Sequence, residues 1–378
     1  MSFLDFFRKN KQKTNTIASL HTSTSSDDSK DIKSENNVEH IDDNERKIAR
    51  EKNNFYKAVF LDRYSTGVHI MSDTEYPRYF YYDFGIKSPS SFHKKLIREG
   101  YYSPSEISDI LESMRISDLK IVLKNLNTTT TGKKSELINR ILNSTSSDHL
   151  MLVLQSDGTE FYSLSDKGKK FVKKHADYIL LFKHRDKLHI EFEDYISAKK
   201  FLPGTNNFYF VIQSILKNQE FENWKNNNYG SLAFAYQNMG DISSEISNSE
   251  EALIYYLKSL YLQIVSANYQ NLLLYKEGVY SKYDCKKGFI KPYLSYLIMK
   301  IYELREFYSQ DVLDAAYEVF NHYFEFALCD KETFGCLIED IVNNNFDNEQ
   351  WINKFKEIYL NFFISQSNLS VNHLESNI

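Results

Sequence analysis

The stretch that decides the fold runs from Met114 to Leu142 and reads MRISDLKIVLKNLNTTTTGKKSELINRIL. Its apolar residues recur at helical spacing in two sets, which predicts two short amphipathic helices with their apolar faces buried. We expect Ser117 to cap the first helix and Asn127 to end it, because Asn tolerates the left-handed conformation. The four threonines and Gly132 predict a polar loop between the helices. The two apolar sets are Leu119, Val122, Leu123 and Leu126, then Leu137, Ile138, Ile141 and Leu142.

The polar side of this stretch is strongly basic. The stretch has six cations and only two acidic residues, Asp118 and Glu136, and such a surface would attract a polyanion. They are Arg115, Lys120, Lys124, Lys133, Lys134 and Arg140. The predicted nucleic-acid contacts begin at the start of the second helix, where backbone N–H groups would help to hold a phosphate. The predicted contact residues are Thr131, Gly132, Lys133 and Lys134, followed by Lys120, Lys124 and Arg140.

The spacing resembles the SAP motif of bacterial type, a helix–loop–helix module of DNA-binding proteins. Asn127 stands where that family usually has Gly, and Thr128 where it usually has Leu. The resemblance implies binding to DNA, often AT-rich, without strict sequence demands. The sequence has no positive motif for a catalytic residue, and we expect no metal or cofactor. The residues on the pattern are Leu119, Lys120, Leu123, Gly132, Lys133, Lys134, Leu137, Ile138, Arg140 and Ile141.

The stretch is compatible with two other interpretations. One is a generic helical hairpin with a solvated basic face. The other is a P-loop, suggested by Thr131-Gly132-Lys133-Lys134-Ser135. A P-loop needs an earlier Gly where Asn127 stands, a Ser or Thr where Lys134 stands, and a preceding strand, so this interpretation is rejected.

Composition restricts nucleic-acid binding to local surfaces. The 378 residues carry a formal net charge of −5, so the chain is no bulk polycation. The hydrophobic fraction of 42% and the aromatic fraction of 15% are ample for packed cores. Cys285, Cys329 and Cys336 lack metal-ligand spacing, and an odd, sparse set fits a reducing compartment. With no long apolar run or signal-peptide pattern, the sequence predicts a cytoplasmic protein without a transmembrane segment.

Along the chain, the sequence predicts a mainly α fold in four parts: a disordered arm and linker over 1–53, a SAP-containing helical domain over 54–148, a small α/β unit resembling a winged helix over 149–200, and an all-helical domain over 201–378. Met1–Lys13 is either a short amphipathic helix that docks on a membrane or partner, or a frayed terminus. A helix is expected to start near the end of the linker.

The region before the SAP-like pair combines aromatic and helical patterns. Phe55–Lys87 predicts extended, irregular chain whose tyrosines either pack or stack on bases. Ser88–Ser113 predicts two helices, the first ending at Gly100 and the second starting at the capping pattern Ser103–Glu106.

A second basic patch follows the SAP-like pair. Leu150–Leu164 carries Asp157-Gly158 between two apolar runs, which predicts a β-hairpin, and Ser165 is expected to cap the next helix. A solvated helix face is the alternative to nucleic-acid binding here. The nearby acidic run IEFED fails the pattern of a metal nuclease, because Tyr195 stands where a Lys is needed. The basic residues are Lys167, Lys169, Lys170, Lys173, Lys174, Lys183, Arg185 and Lys187.

The C-terminal part predicts helix after helix with an acidic middle, which favours a protein partner or self-association over nucleic acid. Leu232, Ala233, Tyr236, Gly240, Ala252 and Tyr256 resemble one tetratricopeptide hairpin, without a second copy at the repeat period. The sequence thus predicts a non-enzymatic DNA-binding protein, with RNA as the alternative polyanion and an unknown protein partner for the C-terminal domain. The alternative function is a protein-interaction adaptor in which the SAP-like pair is only structural.

Overall fold

A computed structural model of the chain describes residues 43–154, 159–202, 207–320 and 329–375. Its described residues are mainly helical, with one small sheet, so the predicted fold class is confirmed. The arm expected to be disordered lies outside the described residues up to residue 42, and so does the docking hypothesis for Met1–Lys13. A helix does begin near the end of the predicted linker, at Asp43.

The first half of the described chain alternates short helices with three short strands. Helices and strands follow in the order α1 Asp43–Arg63, β1 Val68–His69, α2 Tyr79–Tyr82, α3 Pro89–Arg98, β2 Tyr102–Pro104, α4 Ile107–Ser113, α5 Ile116–Asn125, α6 Lys134–Ser144, α7 Ser147–Leu154 and β3 Phe161–Leu164. Then come α8 Asp166–Lys174, α9 Ala176–Leu188 and α10 Phe192–Phe201.

The sheet is antiparallel in the order β1-β3-β2, with Val68 and Pro104 both opposite Tyr162. The predicted hairpin over Leu150–Leu164 was right for its second strand and wrong for its first, because residues 147–154 form helix α7. A short apolar run does not separate strand from helix by periodicity alone. Here Leu150 packs against the SAP-like helices instead of pairing with β3.

The prediction that a helix starts at the capping pattern Ser103–Glu106 was wrong in detail. Tyr102 to Pro104 form edge strand β2, and α4 begins only after Glu106. Two buried hydroxyls explain the shift, because Ser105 Oγ lies 2.8 Å from Ser163 Oγ and this bond ties the residue after β2 to β3. Other capping predictions are confirmed: Gly100 has φ +77°, and Ser165 Oγ accepts from the Gly168 N–H.

The aromatic region was expected to be irregular, but α1 continues as a helix to Arg63. Phe55, Val59 and Phe60 are buried along it, so helical burial outweighs the β-propensity of the aromatic residues. Tyr64 and Tyr76 are buried as well, and packing accounts for them. Tyr81 and Tyr82 are exposed.

Hydrophobic side chains form two clusters. The large cluster runs from Phe55 to Tyr359 and takes in most of the described chain. The small cluster belongs to α4–α7 and consists of Leu111, Leu119, Val122, Leu123, Leu137, Ile141 and Leu150. The SAP-like pair is therefore packed on its own core, and α4 and α7 enlarge that core, as a motif this small requires.

The C-terminal part is helical throughout its described residues: α11 Phe208–Lys225, α12 Tyr229–Glu245, α13 Ser249–Lys276, α14 Lys282–Lys287, α15 Ser295–Glu303, α16 Gln310–Tyr317, α17 Lys331–Val342 and α18 Asn348–Glu375. Helices α12 and α13 pack closely, because a Cβ on Gly240 would come within 2.7 Å of the Tyr256 ring. Among the described helices, none has the length and apolar character needed to cross a bilayer.

Candidate nucleic-acid interface

Helix α5 begins one residue beyond Arg115, which is its N-cap. The prediction that Ser117 caps it was wrong: Ser117 lies inside the first turn, and its hydroxyl donates to Asp118 Oδ1 at 3.1 Å. The buried face is as predicted, with Leu119, Val122 and Leu123 turned inward. The opposite face, which carries Lys120 and Lys124, is exposed.

Asn127 and Thr128, the two departures from the SAP pattern, together end α5. Asn127 adopts φ +52°, as predicted, and its N–H donates to the carbonyl of Lys124 at 3.0 Å. Thr128 N–H donates to the carbonyl of Leu123 at 3.0 Å, and this pair of bonds is a Schellman motif. The Thr128 hydroxyl reaches the same carbonyl at 3.2 Å. A polar cap therefore replaces the apolar contact that Leu would make.

The loop between α5 and α6 is held by Arg140. Its Nη1 donates to the carbonyls of Thr129 at 2.5 Å and Thr131 at 2.9 Å. These bonds engage one of the guanidinium nitrogens with the protein's own backbone. Arg140 is therefore placed to position the loop, whereas the sequence suggested only a contact with nucleic acid.

The start of α6 has backbone N–H donors without an acceptor inside the helix. Lys133 is the N-cap, and its N–H donates to Glu136 Oε2 at 3.1 Å. The N–H groups of a helix's first turn have no acceptor within the helix, so those that follow Lys133 are available to an anion. Gly132 adopts φ +129°, and a Cβ there would lie 2.5 Å from Glu136 Oε2. The positive φ favours glycine at this position, because residues with a Cβ are strained there.

Lys134 is partly engaged with its own neighbours in helices α4–α7, which we call the SAP unit. Its Nζ donates to the carbonyl of Glu112 at 2.5 Å, close to the end of α4. A cation near a helix C-terminus is favourable, because the last carbonyls carry partial negative charge. Lys134 therefore ties α4 to α6, and it contributes less free charge than Lys133.

Five of the seven predicted contact residues are exposed. Thr131, Gly132, Lys133, Lys120 and Lys124 are exposed, and in the described part of the chain none of these lysines lies in a salt bridge. Periodicity assigned the buried face of α5 correctly but did not single out two apolar residues on its outer face. These are Ile116, 46% exposed, and Ile121, 59% exposed.

The second basic patch divides into two halves. On α9, the cations are paired with acids: Lys183 with Asp62 at 3.2 Å, Arg185 with Asp83 at 3.6 Å, and Lys187 with Asp241 at 3.3 Å. On α8, Lys167 Nζ donates to the carbonyl of Glu99. The remaining α8 lysines, Lys169, Lys170, Lys173 and Lys174, are exposed.

The acidic run beside α10 has structural partners. Glu193 Oε1 lies 2.7 Å from Lys52 Nζ, and this contact lowers the pKa of Glu193. Asp177 lies in α9, where Lys199 Nζ at 2.6 Å and the Tyr195 hydroxyl at 2.9 Å contact its Oδ2. These carboxylates hold helices together.

The comparison with protein families supports the helix–loop–helix assignment. Residues 110–145 match the SAP domain. The match begins in α4 and ends just after α6, so it covers both helices, the loop and the Arg140 contacts. The SAP domain is in general a DNA-binding module. No curated protein and no solved structure matches the chain significantly.

Proposed function

We propose that this protein is a non-enzymatic DNA-binding protein that holds the phosphate backbone with its SAP module. The SAP match over residues 110–145 is the observation that carries the proposal. The exposed Lys120, Lys124 and Lys133 supply charge, and the N-terminus of α6 supplies backbone donors. Phosphate contacts position a protein on DNA without contacting the base edges. We therefore expect binding to AT-rich DNA with weak sequence preference.

The seven predicted contact residues have unequal roles in this proposal. Lys133, Lys120 and Lys124 would contact phosphates directly, and Thr131 and Gly132 would bring the backbone close. Lys134 and Arg140 would act mainly through their carbonyl contacts, since both side chains are engaged within the unit. The α8 lysines would extend the contact at low salt.

The acidic helical C-terminal domain would serve protein interaction. Glu303, Glu306, Asp311 and Glu318 are exposed, and a surface of this sign repels nucleic acid. The close packing of Gly240 on Tyr256 supports a tetratricopeptide-like hairpin at α12–α13. We also propose a SAP module of bacterial type and a cytoplasmic location.

The test is a fluorescence-anisotropy titration of labelled AT-rich double-stranded DNA with the full chain at two salt concentrations. Lys124→Glu with Lys133→Glu should weaken binding more than about tenfold and reduce the salt slope by roughly 1.8, which corresponds to about 0.9 per lost phosphate contact. Lys217→Glu with Lys356→Glu is the matched control, because both lysines are exposed in the C-terminal part.

The outcomes separate the two functions that the sequence suggests. Equal affinities for the SAP variant and the control would contradict the proposal. Absence of binding by the wild-type chain at low salt would leave the adaptor function, in which the SAP unit only packs. A single-stranded RNA competitor in the same titration distinguishes RNA from DNA.

A further inference from the structure

One segment of the C-terminal part presents apolar side chains to solvent. It follows α13 and covers residues 277–293, which we call the lysine–tyrosine segment. Val279 is 63% exposed, Ile290 47% and Tyr293 78%, and Tyr280 and Tyr283 are exposed as well. Exposed apolar residues in such a concentration on one short segment mark an interaction surface.

Buried asparagines of α13 hold this segment in place. Asn268 Nδ2 donates to the carbonyl of Ile290 at 3.0 Å, and Asn268 Oδ1 accepts from the Ile290 N–H at 2.9 Å. Asn271 Nδ2 donates to the carbonyl of Gly288 at 2.8 Å. The backbone at Ile290 is therefore fixed while its side chain points outward, so the apolar side chains are presented at little entropic cost.

The charge of the segment opposes that of its surroundings. Between Glu277 and Tyr293 the sequence has four lysines against two acidic residues, in a region that is otherwise acidic. The Nζ of Lys287 lies 4.3 Å from the centre of the Tyr283 ring, and Lys291 is exposed one residue from Ile290. Cations thus border the exposed apolar side chains directly.

We propose that the lysine–tyrosine segment docks the protein on an anionic lipid bilayer surface. Aliphatic side chains such as Val279 and Ile290 gain by entering the acyl boundary, whereas they have no ring to stack on nucleic-acid bases. Tyrosine is favoured at the headgroup level, where its hydroxyl stays hydrated. Lysines beside it are attracted to anionic headgroups. The segment would insert shallowly.

The test is co-sedimentation of the full chain with vesicles of phosphatidylcholine alone or mixed with phosphatidylglycerol. Wild type should bind the mixed vesicles and hardly bind the neutral ones. Val279→Ser with Ile290→Ser and Tyr293→Ser should weaken binding at least about tenfold, since each side chain loses apolar burial. Lys287→Gln with Lys291→Gln should weaken binding to the mixed vesicles by about fivefold for each lysine.

Two controls isolate the segment. Phe210→Ser with Phe221→Ser removes exposed apolar residues from α11 and should leave binding unchanged. Phe3→Ser with Phe6→Ser and Phe7→Ser removes the N-terminal apolar residues, and the effect of the segment variants should persist in that background.

The proposal is overturned if wild type does not sediment with mixed vesicles, or if only the N-terminal variant loses binding. It is equally overturned if the segment variants retain vesicle binding and instead lose self-association or DNA affinity. The DNA titration of the same variants is independent, because none of these substitutions lies in the SAP unit.

Discussion

The SAP unit and the α8–α9 segment are both rich in lysine, yet their cations are engaged differently. In the SAP unit Lys120, Lys124 and Lys133 are exposed and have no salt bridge among the described residues. On α9, Lys183, Arg185 and Lys187 each lie beside a carboxylate from another element. A basic stretch in sequence is therefore not by itself a basic surface.

Packing accounts for the contrast. The SAP unit packs on a small aliphatic core of its own, and among the described residues no carboxylate pairs with Lys120, Lys124 or Lys133. Helix α9 is built into the large cluster, where Asp241 and other carboxylates are close enough to neutralise its cations. Three predictions test this difference, in order of expected effect.

The largest effect is expected at Lys187, because Asp241 is buried and depends on it. The Asp241 side chain is 2% exposed, and its Oδ1 accepts from the Tyr256 and Tyr296 hydroxyls at 2.7 and 2.6 Å. Lys187→Met would leave the carboxylate without its cation. Because Lys187 is itself 39% exposed, we expect a loss of about 2–3 kcal/mol in the free energy of unfolding, below the cost of breaking a fully buried pair.

Urea unfolding at neutral pH measures that loss, and DNA titration should show unchanged affinity. Lys170→Met is the matched control: Lys170 is exposed on α8, and the free energy of unfolding should stay within about 0.5 kcal/mol. If Lys187→Met instead kept its stability and lost DNA affinity, α9 would belong to the DNA-binding surface. The contrast between the unpaired lysines of the SAP unit and the paired cations of α9 would then be wrong.

An intermediate effect is expected at the α8–α9 junction, where His175 is buried. Burial lowers the pKa of His175, with Asp177 opposing the shift, so the ring is neutral in the fold. The unfolded chain takes up a proton near pH 6.5, and the folded state does so only at lower pH. Stability contributed by His175 is thus complete above pH 6.5 and falls by up to about 1.4 kcal/mol per pH unit below it.

His175→Gln should flatten the decline in stability as the pH falls below 6.5, as measured by urea unfolding at a series of pH values. A smaller slope of the same sign should remain in the plot of unfolding free energy against pH. It comes from buried His93, whose pKa burial lowers to about 4. His149 in α7 is exposed, so His149→Gln is the matched control and should keep the full slope. An equal slope in both variants would remove His175 as a cause.

The sequence predicted those parts of the fold that depend on local pattern. The buried face of α5, the left-handed Asn127 and the cap at Ser165 follow from side-chain chemistry within a few residues. Packing and strand-pairing partners that are distant in sequence could not be predicted from local pattern. Leu150 joins the SAP core instead of a hairpin, and β3 pairs with strands far away in the chain.

The candidate site shows the same limit. Composition identified its cations, but only the fold shows which of them are engaged. The sequence placed Lys134 beside Lys133 among the first contact residues and Arg140 in the second group, yet Lys134 and Arg140 both donate to backbone carbonyls. Pairing on α9 likewise depends on acids more than fifty residues away, such as Asp241 for Lys187.

The smallest effect is expected at Arg140, which tests the comparison within the SAP unit. Arg140→Lys keeps the charge but cannot reproduce the geometry of the Thr129 and Thr131 bonds. We expect DNA affinity to fall by about two- to fivefold through a looser loop, while the salt slope stays unchanged because no cation is lost.

Lys124→Arg is the control and should change neither quantity. Unchanged affinity in Arg140→Lys would mean that Arg140 acts only as a charge, whereas a reduced slope would mean that it contacts phosphate through its fork. A loss of affinity at constant slope would assign Arg140 to the loop and leave the contact with DNA to Lys120, Lys124 and Lys133.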